Sequence, residues 1–220
     1  MRVELLYNTP LWVCARAIRK CWASEDKSDS IYKITWGDSI GDFVLCDKED
    51  IIVGEKDKEL INRVGNKNKH KSTLEHLVYT FDVDGISRAC LQELARHRIA
   101  SYSVKSTRYT LKELKEADKM KHFLVLTGNT ELDYANIDYL LLLKKKLLAG
   151  SIANDVAKYM LPEAYKTSLV MTINARSLQN FIELRSSKSA LWEIQNLAKA
   201  MFDAIPTEHK YLFEDFTQGH

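Results

Sequence analysis

The stretch RHRIASYSVKSTRY, residues 96–109, sets Arg96, His97, Arg98 and Arg108 beside Ser101, Ser103 and Ser106, adds Tyr102 and Tyr109, and contains no acid. A guanidinium offers a planar fork to two anion oxygens, while hydroxyls and backbone amides fill the remaining lone pairs. Just upstream, SRACLQELARHR has the pattern of an amphipathic helix with Ser87 as its N-cap. If that helix runs to Arg96, then Gln92, Glu93 and Arg96 share a face, because residues three and four apart are neighbours. Arg96 then stands at the helix mouth, followed by a donor-rich loop with free backbone amides. Two readings fit this pattern: a phosphate site, or a basic loop in solvent.

Composition limits the choice. The 220 residues, 45% hydrophobic, can bury a sizeable core in one domain, residues 1–220. Lys and Arg number 32 against 30 Asp and Glu, so a net charge of +2 gives no global attraction to nucleic acid or a membrane. Any anion site must be a local concentration. No run approaches the roughly 20 apolar residues of a spanning helix, and MRVELLYNTPLWVCARAIRK does not read as a signal peptide. Cys14, Cys21, Cys46 and Cys90 form no C-x-x-C pair, which suits a reducing cytoplasm, and none reads as a nucleophile.

The rest of the chain mixes periods. Val3–Tyr7 reads as a strand, Pro10 as the start of a helix ending by Ala23, and Leu77–Val83 as an alternating strand. Residues 24–56 read as an inserted hairpin or excursion, with β-prone runs at Ile31–Trp36 and Phe43–Cys46. Helices are expected over Lys58–Val64, 131–149, Asn154–Leu161, Ser177–Arg185 and Ser187–Ala204, and a strand over Leu169–Ile173. Lys144, Lys145 and Lys146 fit a solvated last turn. Ser72 to Glu75 matches a capping box. Strands and helices do not alternate regularly, so the class is α+β, with a small, mostly antiparallel sheet packed by several helices.

Two further segments carry polar clusters. HKSTLEH places His70, Ser72, Glu75 and His76 around a helix start, where anions are attracted. INARSLQNFIELRSS spaces Asn174, Arg176, Asn180 and Arg185 over a strand end and a helix, with Arg176, Asn180 and Leu184 along one face. Selected donors beside an apolar floor suit a large planar ligand. The same residues also fit local caps and surface ion pairs.

Arg96-His97-Arg98, seven residues, then Ser106 matches the RHR-x7-S signature of the flavin-dependent thymidylate synthases, and Arg108-Tyr109 extends the match. HKSTLEH is similar to that family's H-x-[ST]-x-x-E-H segment, and NARSLQNFIELR with WEIQ at 192–195 resembles its downstream helix. Together the segments cover most of residues 70–200. The resemblance implies reductive methylation of dUMP to dTMP in de novo dTMP biosynthesis. Methylenetetrahydrofolate would be the carbon donor and NADPH the reductant, both as co-substrates, with FAD as cofactor and no enzyme cysteine nucleophile. It also implies a homotetramer whose FAD sites are shared between subunits. Carried over by residue, FAD would meet His70, Ser72, Arg96, His97, Arg98, Ile99, Val104, Asn174, Ala175, Arg176, Asn180 and Leu184. The dUMP set would be Gln92, Glu93, Arg96, Val104, Lys105, Ser106, Thr107, Arg108, Lys158 and Arg185, with Arg185 polarising the uracil as the catalytic residue.

The chain departs from the family pattern in places. Glu93 stands where a Gln is usual, with Gln92 beside it as the other candidate; Val104 replaces a frequent Glu or Gln; Lys158 replaces an Arg and loses the bidentate fork; Ser189 replaces a histidine of some members. Residues 24–56 exceed the usual connection and read as a surface arm near a subunit interface. The rival classes fare worse. A nucleic-acid surface lacks a motif and net charge, a Ser106 hydrolase lacks the G-x-S-x-G setting, and His70, His76 and His97 lack zinc-ligand spacing. The remaining alternative is an FAD-dependent methylase of another pyrimidine nucleotide.

Overall fold

The structure is a computed structural model that describes residues 1–32 and 51–218. Strand β1 (Arg2–Asn8) leads into α1 (Leu11–Cys21). A short pair, β2 (Ile31–Tyr32) and β3 (Ile51–Ile52), precedes α2 (Glu55–Ile61). Then come β4 (Val78–Ser87), α3 (Arg88–Leu94), β5 (Ala100–Val104), α4 (Thr107–Thr110), α5 (Lys112–Glu116), α6 (Thr130–Leu148) and α7 (Asn154–Ala157). The chain finishes with β6 (Lys166–Asn174), α8 (Ala175–Arg185), α9 (Trp192–Ala204) and 3-10 turns to Phe216. The main sheet has the order β1-β4-β6-β5 with every neighbour antiparallel, so the architecture is α+β as expected.

Alternation decides which side of the sheet is covered. Along β4, Tyr79, Phe81 and Val83 are fully buried, and Leu169, Met171 and Ile173 of β6 face the same core. Each such side chain removed from water contributes about 1.5–3 kcal/mol. Helices α1, α3, α8 and α9 supply the opposing layer through Ile18, Leu94, Phe181 and Leu197 among others. On the other side the residues are polar: Thr80 and Thr172 approach at 3.0 Å, and Arg2 pairs with Asp84 at 2.8 Å. Where β4 bulges between Asp84 and Ile86, Gly85 takes a φ of 77°, a left-handed conformation that glycine adopts without a Cβ clash. A second apolar cluster gathers Leu111, Leu114, Leu140, Leu143, Leu147 and Tyr165 from α4 to α7 and the following turn.

Several local expectations need correction. Helix α3 stops at Leu94, and Ala100–Val104 is an edge strand on β6 instead of an open loop, so its amides on that side are used by the ladder. Valine, tyrosine and serine alternate there, a strand pattern hidden beneath the basic residues. Ser72 and Glu75 form no capping box; Lys71–His76 is a 3-10 helix without a side-chain cap, and Glu75 pairs instead with Arg176. Helix α9 begins at Trp192, not Ser187, because Ser187 and Ser189 hydrogen-bond to each other and form a turn. Helix α2 begins at Glu55, earlier than Lys58, and passes into a π-helical turn over Asn62–Lys67. Lys144 is half-buried, its Nζ donating to the Ala117 carbonyl at 2.7 Å. The run Phe43–Cys46 lies outside the described residues.

Buried polar groups tie the elements together. Ser87 caps α3 by accepting from Cys90 N, and Glu193 of α9 accepts from both Ser87 N at 2.7 Å and the Ser87 hydroxyl. Asp57 lies at the start of α2, fully buried, where Arg19 Nε donates to it at 2.5 Å and Ser28 and Ser30 donate to its other oxygen. Burial pushes this carboxyl up, but the two serines and the arginine together hold it below its ordinary value. Asp29 caps the same helix through Lys56 N and Asp57 N, so the base of the excursion is anchored on both sides. His209 is buried against the sheet, sharing a 2.7 Å hydrogen bond with the Tyr79 hydroxyl, and burial lowers its pKa to about 4.

Two outcomes follow from these contacts. Glu193→Ala leaves the Ser87 donors unpaired inside the core, and denaturant unfolding should show a loss of about 1–3 kcal/mol. His209 is neutral in the fold down to about pH 4, whereas the unfolded chain takes up its proton below 6.5. Stability should therefore be insensitive to this group above pH 6.5 and fall between 6.5 and 4 by up to about 1.4 kcal/mol per pH unit. His209→Gln should flatten that slope in unfolding curves measured across the window, and an unaltered slope would contradict the assignment.

Candidate active site

The turn after α3 and the outward side of α8 enclose a cleft of about 910 Å³ lined by Arg96, His97, Arg98, Ile99, Arg176, Asn180, Leu184 and Arg185, together with Lys71 and Ser177. The sheet sets this pairing. Ala100 of β5 lies opposite Ile173 of β6, one residue before Asn174 caps α8 by accepting from Ser177 N. The RHR turn and the first turn of α8 are thus adjacent by register. Tyr102 then secures the turn from below, its hydroxyl donating to the Leu94 carbonyl at 3.0 Å and the His97 carbonyl at 2.7 Å.

Arg185 ends α8 and reaches back to α3. Its Nε donates to His97 Nε2 at 2.9 Å, Nη1 donates to Glu93 Oε2 at 2.8 Å, and Nη2 donates to the Glu93 carbonyl at 3.0 Å. Its side chain is only 14% exposed. His97 also stands edge-on to Phe181, ring centroids 4.9 Å apart. Burial lowers the His97 pKa to about 4, aided by Arg185 and Arg96 and opposed by Glu93, so the imidazole is a neutral acceptor at neutral pH. A second hollow of about 600 Å³ opens on the other side of these arginines, lined by Gln92, Glu93, Arg96, Arg185, Glu163 and Ser189 among others. Arg96 and Arg185 border both spaces.

The expected residues divide between several places. Arg96, His97, Arg98, Ile99, Arg176, Asn180 and Leu184 gather in the first cleft, and Gln92 and Glu93 border the second. His70 and Ser72 are exposed at the neighbouring 3-10 helix but do not line the cleft; Asn174 serves as a cap and Ala175 is buried beneath it. Val104 is at the far end of β5, about 13 Å along the strand from Ala100. Beyond it, Lys105 is committed: its N–H donates to the Ser168 carbonyl and its ammonium pairs with Glu113 at 2.8 Å. Ser106, Thr107 and Arg108 open α4, which packs against α7, and Lys158 follows α7 directly. One chain therefore assembles Ser106, Thr107, Arg108 and Lys158 as a group separate from Arg185.

Three contributors were not among the expected site residues. Lys71 and Ser177 line the cleft, and Tyr102 fixes the RHR turn. Lys71 sits between His70 and Ser72 in the segment already singled out, so proximity could have revealed it; Tyr102 would have emerged from treating residues 100–104 as a strand. Cys14 and Cys90 are buried and free, their thiols pushed up to about 12 by burial, which leaves them poor nucleophiles.

Comparison with known proteins accords with this geometry. The family model described as "Thymidylate synthase complementing protein" matches residues 4–209. A flavin-dependent thymidylate synthase of Campylobacter jejuni (strain RM1221) is 57% identical over 222 residues, covering 97% of this chain and 96% of its own. One from Helicobacter pylori (strain ATCC 700392 / 26695) is 49% identical over 226 residues, covering 98% of each. A crystal structure of thymidylate synthase X from Helicobacter pylori with FAD and dUMP is similar at a TM-score of 0.85 and 48% identity, with 99% of this chain and 100% of that one covered. With a family match over residues 4–209 and relatives similar over nearly the whole length, the chain belongs to the thymidylate synthase complementing protein family, alongside the flavin-dependent thymidylate synthases.

Proposed function

We propose that the two hollows meeting at Arg96 and Arg185 hold FAD and dUMP side by side, and that this chain makes dTMP from dUMP with methylenetetrahydrofolate and NADPH as co-substrates. The observation that carries this reading is the shared border: half-buried Arg185 and exposed Arg96 line both spaces at once. The first cleft fits FAD by its donor chemistry. Arg96, Arg98, Arg176 and Lys71 supply cations for a pyrophosphate, while Ile99 and Leu184, 71% and 55% exposed, offer apolar surface for planar rings. Bound there, FAD would pass reducing equivalents from NADPH to the carbon that becomes the methyl group.

The chain's own part is orientation and electrostatics. Arg185 stabilises negative charge as it develops on the uracil ring, and because a guanidinium stays protonated it does so without giving up a proton. His97, neutral and hydrogen-bonded, holds that guanidinium and presents no competing charge. Gln92 and Glu93 border the nucleotide. His70, Ser72, Asn174 and Ala175 support the FAD end, His70 and Ser72 from a neighbouring exposed edge. No enzyme thiol takes part.

Ser106, Thr107, Arg108 and Lys158, with Val104 and Lys105 at the strand end, complete the nucleotide site of another copy in a homotetramer with shared FAD sites. Two features support this. The set is separated from Arg185 within one chain, and α6 carries apolar residues well beyond its buried face: Leu140, Leu143 and Leu147 are buried while Leu132, Tyr139 and Leu142 on one flank and Tyr134, Leu141 and Leu148 on another are exposed among its charged residues. A helix with that pattern is suited to cover on several sides. In this reading the chain acts as one domain, the described ends of the 24–56 excursion are anchored by Asp29 and Asp57, and the enzyme works in the cytoplasm, consistent with three free cysteines among the described residues. No helix among the described residues is long and apolar enough to cross a membrane.

Purified protein supplied with dUMP, methylenetetrahydrofolate and NADPH should yield dTMP, and after flavin is stripped should do so only when FAD is returned. Product from UMP in place of dUMP would shift the reading to another pyrimidine nucleotide. Arg185→Ala should keep its FAD and its fold yet lose about 100- to 1,000-fold in turnover, the effect of removing one preorganised charge stabiliser. Near-normal turnover in that variant would remove Arg185 from the electrostatic role.

A further inference from the structure

Arginine carries five N–H donors in one rigid plane. In Arg185 three are occupied within the chain, by His97 Nε2, Glu93 Oε2 and the Glu93 carbonyl, which leaves two, one on each terminal nitrogen. Both atoms of Glu93 that hold the guanidinium belong to one residue in the last turn of α3, whereas Arg185 closes α8. The contact therefore fixes the arginine relative to two elements at once. Two bonds from one residue, on different nitrogens, stop the guanidinium from rotating about its own axis; a single bond would not.

The charge of Glu93 works against the chemistry. Its carboxylate lies 2.8 Å from Arg185 and 3.5 Å from Arg96, and so offsets part of the positive field that an electron-rich uracil needs. Besides partnering a half-buried cation, it offers geometry. Gln92, one residue earlier, lines the same hollow but its amide is turned to Glu163, to which it donates at 2.9 Å, and it makes no hydrogen bond to Arg185. Glu93 thus stands alone among its helix neighbours in gripping Arg185.

We propose that Glu93 is the positioning residue for Arg185 during dUMP methylation: carboxylate and carbonyl together orient the guanidinium so that its two free N–H groups meet the uracil as a fixed pair. This rests on the reading of the second hollow as the nucleotide site. Replacement by Gln keeps an acceptor at the same reach and removes the opposing charge. Replacement by Ala leaves only the carbonyl and His97, and replacement by Asp keeps the charge but withdraws the acceptor by one methylene.

The test compares kcat and KM for dUMP in the wild type, Glu93→Gln, Glu93→Ala and Glu93→Asp, with FAD content read from flavin absorbance and folding from thermal melts. Glu93→Ala should lose about 100-fold in kcat, the scale expected when a reacting group is misplaced by an ångström, with FAD content and KM little changed. Glu93→Gln should recover most of that loss. Glu93→Asp should lower kcat without moving KM, and this variant decides the matter if the alanine protein does not fold. Wild-type kcat in Glu93→Ala or Glu93→Asp, or a Gln variant no better than Ala, overturns the proposal. A wild type that makes no dTMP at all overturns the functional reading itself, a result separable from the others.

Discussion

Arg185 sits where an unpaired charge would be costly. At 14% exposure its guanidinium has given up most of its water, and a charge so placed without partners costs several kcal/mol. Glu93, its backbone carbonyl and a neutral His97 replace the lost solvent, and each is itself held in place. His97 is kept by the Tyr102 hydroxyl on its carbonyl and by Phe181 against its ring; Glu93 is kept by a helix whose first turn is capped by Ser87 and, through it, by Glu193 of α9. The sheet register puts β5 beside β6 so that α3 and α8 converge there. Much of the fold can be traced as support for one charged group at the border of two hollows.

That chain of support also explains the division of the expected site. A strand cannot bend back on itself over five residues, so once Ala100–Val104 pairs with β6, Arg98 and Arg108 are sent to opposite ends of the sheet. The signature is contiguous in sequence and bipolar in space. Its first half builds a cleft with α8, and its second half builds a polar group with α7 and Lys158, carried by the second apolar cluster. The proposed homotetramer would reunite the two halves by pairing unlike ends of neighbouring copies.

What could be read from residues alone follows from the range of the forces involved. Alternation in Leu77–Val83 and the Ser87 cap are local, and both appear in the structure. The convergence of Arg176, Asn180 and Leu184 follows from helical period and also appears. Misread elements were those decided by distant partners. Residues 100–104 became a strand because β6 offers an edge; Glu75 left its capping position because Arg176 is 2.7 Å away; Lys144 turned inward to donate to the Ala117 carbonyl. Lys71, Ser177 and Tyr102 escaped notice for the same reason, since their roles depend on which turn lies across from them.

The central claim is that flavin and nucleotide meet at Arg185, and flavin absorbance tests it most directly. Titrating dUMP into FAD-loaded protein should perturb the flavin band in the wild type, because the nucleotide arrives at a guanidinium bordering the flavin cleft. The same titration in Arg185→Ala should give a much smaller change at equal dUMP occupancy. A flavin band unmoved by saturating dUMP in the wild type would place the two ligands apart and contradict the shared border.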